Sequence, residues 1–435
     1  MRSKRSAPVE PSNRGFGGLV RRVFSFIGPG VVTGASDDDP SGIGTYTSVG
    51  AAMGYSVLWT APYFFPLVAV SQYVCAKIGL VTGHGLTGVL RRHHGRGVMY
   101  PVVGLVLLAN TINAGADIGA IAAAVNLLIP VPIPAIILPI ALSILALLVW
   151  GSYRLIEGVF KWLTLTLLAY LGAAVFAHPD PASVLSSTLI PTVRLDSAYL
   201  AGLVALLGTT ISPYLFFWQA SAEVETHVSV ARQRIHHRRR ATDGELRAAA
   251  MDVHAGMLFA TVVMYAIMLA SAATLYASGR REISSAVEAA QALRPIAGDS
   301  AAVLLALGLI GSGFLAVPIL VGSSAYAVSE AFGWRSGLNQ RPAQARQFYL
   351  VMAASTLVGI ELNFLGIDPI AALFGAAVVN GFLAPPLLAM ILLVARDRSI
   401  MGDRVNSRLT NAVGWLTVGV MAMAAVGLVV TWLRG

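Results

Sequence analysis

Eleven runs of mainly apolar residues divide the chain, at about 23–53, 56–82, 98–129, 133–151, 155–177, 198–226, 251–277, 299–331, 347–366, 368–395 and 410–433. A helix needs roughly 20 apolar residues to cross a bilayer, and each run is about that long or longer. The runs are continuous rather than alternating, which argues against a transmembrane barrel. The pattern predicts an all-α polytopic membrane protein. Its expected parts are a polar N-terminal tail (1–22), two blocks of five helices (23–177 and 198–395) and an eleventh helix (410–433).

Two runs contain features that a simple span does not tolerate. In the first, Asp37-Asp38-Asp39-Pro40-Ser41-Gly42 separates two apolar halves. A carboxylate at mid-membrane depth costs at least about 2.5 kcal/mol, Pro40 removes a backbone donor, and lipid-facing backbone cannot stay unpaired. In the sixth, Gly208-Thr209-Thr210-Ile211-Ser212-Pro213-Tyr214 repeats the device. Each break falls in the first helix of its block of five. Interrupted helices at matching places in two halves point to a 5+5 inverted-repeat transporter with a site near the bilayer midplane.

Composition and charge strengthen this reading. Apolar residues make up 56% and charged residues 12%, about half the charged share of a soluble domain. The net charge of +9 follows from topology. With the N-terminus cytoplasmic, the inner segments carry 23 Lys and Arg and the outer ones 5, the bias expected of cytoplasmic loops. This places the chain in the plasma (inner) membrane with its C-terminus outside. The basic run Arg232–Arg240 then reads as a topology anchor rather than a nucleic-acid contact. The single cysteine, Cys75, has no partner for an internal disulfide, and the polar first 20 residues lack a signal-peptide core.

The breaks also carry the candidate chemistry. Asp39, immediately before a proline, is the expected anchor ligand for a cation. Backbone carbonyls near Gly42 and Thr209 are expected to be freed, with hydroxyls from Ser212 and Thr210, and with Asp37 and Asp38 lining the cavity. Neither break holds methionine or cysteine, and an all-oxygen site suits Mg²⁺, Ca²⁺ and Mn²⁺. Asp117, mid-segment in the third run, is a candidate for proton movement or gating. Asn380-Gly381, which interrupts the tenth run, offers an amide to the ion path. No nucleophile–base set, phosphate-cradling glycine loop or zinc spacing is present, so neither an enzyme nor a resident cofactor is expected.

At these residues the sequence resembles the Nramp family of divalent-metal transporters. Gly28-Pro29-Gly30 leading to Asp39-Pro40-Ser41-Gly42 is similar to that family's Gly-Pro-Gly followed by Asp-Pro-Gly-Asn, and 76–83 is similar to its second-helix ending. The resemblance implies a LeuT-type fold working by alternating access, with divalent ions and the bilayer as partners. The family's asparagine ligand is replaced by Gly42, its methionine by Ser212, and its two sixth-helix histidines by Tyr214 and Gln219. These departures resemble the Nramp-related magnesium transporters. They imply import of Mg²⁺, with Mn²⁺ as co-substrate, without tight proton coupling. The alternatives are a proton-coupled Mn²⁺/Fe²⁺ symporter and an organic-solute transporter of the same fold.

Overall fold

The computed structural model describes residues 28–150, 169–233, 241–283, 286–294, 298–366 and 368–434. The N-terminal tail, most of the fifth apolar run and most of the basic 232–240 run lie outside the described residues. All regular structure among those described is helical. The first run forms two short helices, α1 (Pro29–Asp37) and α2 (Pro40–Met53). Then come α3 (Thr60–Thr82), the short α4 (Leu86–His93), α5 (Arg96–Leu128) and α6 (Ile133–Trp150). Of the fifth run, α7 (Ala169–Phe176) is described; α8 (Pro181–Leu189) follows it. The sixth run is again split, into α9 (Ser197–Thr210) and α10 (Pro213–Gln233).

The second half continues with α11 (Asp243–Ser271), α12 (Ala286–Ala290), α13 (Ala301–Phe332), α14 (Arg346–Glu361), α15 (Pro369–Arg396), α16 (Arg398–Met401) and α17 (Arg408–Arg434). Among the described residues, eight stretches are long and apolar enough to cross a bilayer, one of them passing through the break of the sixth run. The fourth run is a shorter apolar helix, and the first is divided too finely to span as one piece.

Helix starts follow the local sequence. Proline opens α1, α2, α8, α10 and α15, where its missing N–H costs nothing and its φ is already helical. Asp196 caps α9 through the Tyr199 amide at 2.8 Å, Asp368 caps α15, and Thr242 with Glu245 forms a capping box on α11. Each such cap contributes about 1 kcal/mol.

The long α5 and α13 pack against each other through the centre; α9 lies on α15, and α1 on α11. Glycine permits two of these contacts. A Cβ on Gly208 would lie 2.0 Å from the Ala377 carbonyl, and one on Gly381 2.4 Å from the Val204 carbonyl. A Cβ on Gly34 would lie 2.2 Å from the Gly256 carbonyl. Large apolar side chains such as Leu350, Met423 and Leu433 face outward, as lipid-facing positions require. One expectation is corrected here. Asn380-Gly381 does not interrupt its helix, because α15 runs unbroken from Pro369 to Arg396; Gly381 instead lets the α9 backbone approach.

Candidate metal site

The two breaks arise from one local rule. A residue before proline is pushed out of the helical region. Asp39 accordingly has ψ 173°, and Asp38 before it has φ −85°, ψ 48°. Ile211, with ψ 55°, ends α9, and Ser212 then precedes Pro213. At each break a helix C-terminus, whose last carbonyls lack intrahelical partners, meets a new helix N-terminus, whose first amides lack them too.

Asp39 sits at the N-cap of α2. Its Oδ1 accepts from the Gly42 amide at 2.7 Å and from the Ser41 hydroxyl at 2.6 Å. Its Oδ2 has two longer contacts, from Asn113 Nδ2 and from the Tyr214 hydroxyl, both 3.3 Å. The Ser41 amide is taken by Asp117 Oδ1 at 3.1 Å. Two carboxylates from different helices therefore share the positive end of α2. The Ser41 hydroxyl lies 3.3 Å from Thr209 Oγ1 across the second break, and Asn380 Nδ2 donates to Asn113 Oδ1 at 3.3 Å. Asp39, Asp117, Thr209, Tyr214 and Asn380 thus come together from α2, α5, α9, α10 and α15.

Other residues are placed differently from expectation. Gly42 is the third residue of α2 and turns its amide, not a free carbonyl, to Asp39. An N-terminal break frees N–H groups; the carbonyls it frees belong to the end of α1. One of these, Ser36 O, accepts the Tyr214 hydroxyl at 2.7 Å. The Ser212 hydroxyl turns back to the Gly208 and Thr209 carbonyls at 2.9 and 2.8 Å, so the Thr209 carbonyl already has a donor. Thr210 bonds back to Leu206 O at 2.7 Å. Gln219 accepts from Thr33 and donates to Glu223 at 3.0 Å.

Charge dominates this site. Asp37, Asp38, Asp39 and Asp117 are all buried, with exposures of 2% or less. Asp37 Oδ1, both Asp38 oxygens and Asp117 Oδ2 receive no hydrogen bond among the described residues. No arginine, lysine or histidine among those residues forms an ion pair with them. An uncompensated buried carboxylate costs several kcal/mol, so these acids either hold protons or meet a cation. Every side chain hydrogen-bonded to Asp39 offers an oxygen or an amide; none offers sulfur or imidazole.

Asn113 and Ser41 are the residues that sequence reasoning missed. The available signal was the polar stripe Asn110, Asn113 and Asp117, which shares one helix face at spacings of three and four within an otherwise apolar run. The Gly28-Pro29-Gly30 stretch also acquires a role. Asp252 of α11 accepts from the Gly28 and Gly30 amides at 2.9 and 2.6 Å, capping α1 from a neighbouring helix.

A family model described as natural resistance-associated macrophage protein-like (Nramp) matches residues 30–431. The divalent metal cation transporter MntH of Deinococcus radiodurans is 26% identical over 424 residues, covering 96% of this chain and 92% of that protein. Its namesake in Klebsiella pneumoniae is 26% identical over 417 residues, 95% of each. Among solved structures, the Eremococcus coleocola manganese transporter in complex with an aromatic bis-isothiourea compound superposes with a TM-score of 0.73 at 20% identity, over 96% of this chain and 87% of that one. Mhp1, a nucleobase-cation-symport-1 family transporter in a closed conformation, superposes at 0.58 and 15% identity, over 94% and 91%. The backbone is thus of the LeuT type.

Proposed function

This chain belongs to the Nramp family, whose members are transporters rather than enzymes, and on that premise we propose that it imports Mg²⁺, with Mn²⁺ as co-substrate, without tight proton coupling. It is a multi-pass divalent metal cation transporter of the MntH type. The observation that carries the finer reading is the buried set of four carboxylates, several of their oxygens unpartnered, within a donor set of oxygens and amides. Hard cations prefer such donors, and Mg²⁺ keeps part of its water shell. Asp39 Oδ2, held by two long contacts, is the oxygen that turns to the ion. Asp38, Asp37 and the carbonyls ending α1 complete the surroundings, and Thr209, Ser212 and Tyr214 shape the opposite wall. Import down an inward-negative potential needs no proton, since a dication gains about 4.6 kcal/mol per 100 mV.

Uptake into proteoliposomes with an internal pH dye tests the proposal. Mg²⁺ and Mn²⁺ enter, the lumen does not acidify, and Asp39→Ala loses uptake. Entry of Fe²⁺ or Cd²⁺ with exclusion of Mg²⁺ would sink the cargo assignment.

One observation favours a second reading. Asp117 Oδ2 is unpartnered beside Asp39, as a proton carrier in a Mn²⁺/Fe²⁺ symporter would be. Acidification proportional to metal entry selects it. An organic solute bearing a carboxylate is disfavoured by the same four acids.

A further inference from the structure

We propose that a cavity of about 530 Å³ between α4 and the α15–α17 connection binds a phosphate group, on the face that the loop charges assign to the cytoplasm. It is lined by the end of α3, by α4 and by residues 398–404, and none of the break residues reaches it. Arg92, Arg398 and Arg404 line it with His84 and His93, against one lining carboxylate, Asp403. Its base is apolar, with Val89 and Met401 buried at 1% and 2% exposure.

The three arginines are not equivalent. Arg404 is held by Asp243, which fixes the connection to α11. Arg92 and Arg398 form no ion pair among the described residues, and both are exposed. Asp397 is occupied with the Ser399 amide at 2.7 Å, so the donors available are side chains rather than a helix end. His84 records the local field: burial, and then the charges of Arg92 and His93, hold its imidazole below the usual histidine range. A positive, concave surface with two free guanidinium groups fits a tetrahedral oxyanion, which the planar fork of arginine grips at two oxygens. The volume lies within the range of small-molecule sites. The phosphate chemistry has two sources, an anionic lipid headgroup at the membrane rim or a soluble phosphate from the cytoplasm.

The test uses the full chain, delipidated in detergent, with its unfolding temperature followed during titration. The probes are pyrophosphate, dihexanoyl phosphatidylglycerol and, as a zwitterionic control, dihexanoyl phosphatidylcholine. Saturable stabilisation is expected, with half-saturation at least tenfold higher in Arg92→Gln/Arg398→Gln and unchanged in Arg408→Gln, which removes an arginine outside the cavity. Stabilisation by both pyrophosphate and phosphatidylglycerol identifies a soluble-phosphate site; stabilisation by phosphatidylglycerol alone identifies a headgroup site. If the double variant does not purify as a single species, Arg398→Gln alone is expected to shift half-saturation at least threefold. No stabilisation by either anionic probe, equal stabilisation by phosphatidylcholine, or an equal loss in Arg408→Gln overturns the proposal.

Discussion

The Tyr214 hydroxyl donates to the Ser36 carbonyl at 2.7 Å, so the start of one half-helix satisfies the frayed end of another across the site. The same hydroxyl stands 3.3 Å from Asp39 Oδ2, longer than the 2.7–2.8 Å usual for such a bond. Tyr214→Phe keeps the ring in its packing and removes only this bridge. A buried carbonyl left unpaired costs about 1–3 kcal/mol. A lower unfolding temperature and a several-fold higher KM for metal uptake are expected, with transport retained. An unchanged KM would show that the hydroxyl does not shape the ion site.

Asp117 and Asp39 cap adjacent amides of α2. Asp117→Asn keeps an oxygen for the Ser41 amide but carries no charge or titratable proton. For an uncoupled carrier, metal uptake persists and the lumen pH stays flat in both proteins. Proton flux present in the parent and lost in the variant would establish the symporter reading instead.

Asn113 links Asp39 to Asn380. Asn113→Leu removes both amide contacts at similar volume and leaves the Asp39 carboxylate with one fewer donor. Initial-rate uptake is expected to fall about tenfold, the equivalent of about 1.4 kcal/mol, and the unfolding temperature to drop as well, because the buried Asn380 amide and Asp39 Oδ2 each lose a partner.

The contact between α9 and α15 depends on missing side chains. Gly208→Ala drives a methyl group into the Ala377 carbonyl, and such overpacking costs about 1–3 kcal/mol. Gly375→Ala, on the same helix α15 but in open space, is expected to be neutral or slightly stabilising, since alanine is the better helix former. Comparing the two by thermal unfolding isolates the packing effect.

Asp252 reaches the Gly28 and Gly30 amides and so fastens α1 to α11. Asp252→Ala is expected to speed amide exchange over residues 28–33 and to cost about 1 kcal/mol, the value of a cap. Asp252→Asn, which keeps one acceptor oxygen, is expected to be milder.

At the surface, Asp180 caps α8 through the Ser183 hydroxyl and amide, and these bonds hold its carboxyl below the usual carboxylate range. A depressed folded-state pKa means that the contribution is present above the unfolded value, about 3.9, and is lost as pH falls through the lower folded value. Protection of the Ser183 and Val184 amides, taken relative to their intrinsic exchange rates, is therefore expected to fall as the pH falls through that interval, and Asp180→Ala removes this pH dependence of protection.

Much of the architecture is written in the order of residues. Run lengths set the number of apolar segments because crossing a bilayer is a matter of length. Pro40 and Pro213 announced the two breaks because a proline constrains its own φ and its predecessor's ψ whatever surrounds it. Loop charge suggested an orientation for the same local reason. What the tertiary structure alone decided is which polar groups meet. Whether Ser212 faces a cation or its own helix, whether Gly42 presents a carbonyl or an amide, and whether Gly381 breaks α15 or admits α9 depend on rotational phase and on helices far apart in sequence. Asn113 stood in plain view as one amide in an apolar run. Its link to Asp39 exists because α5 packs beside both breaks, and no local preference encodes that contact.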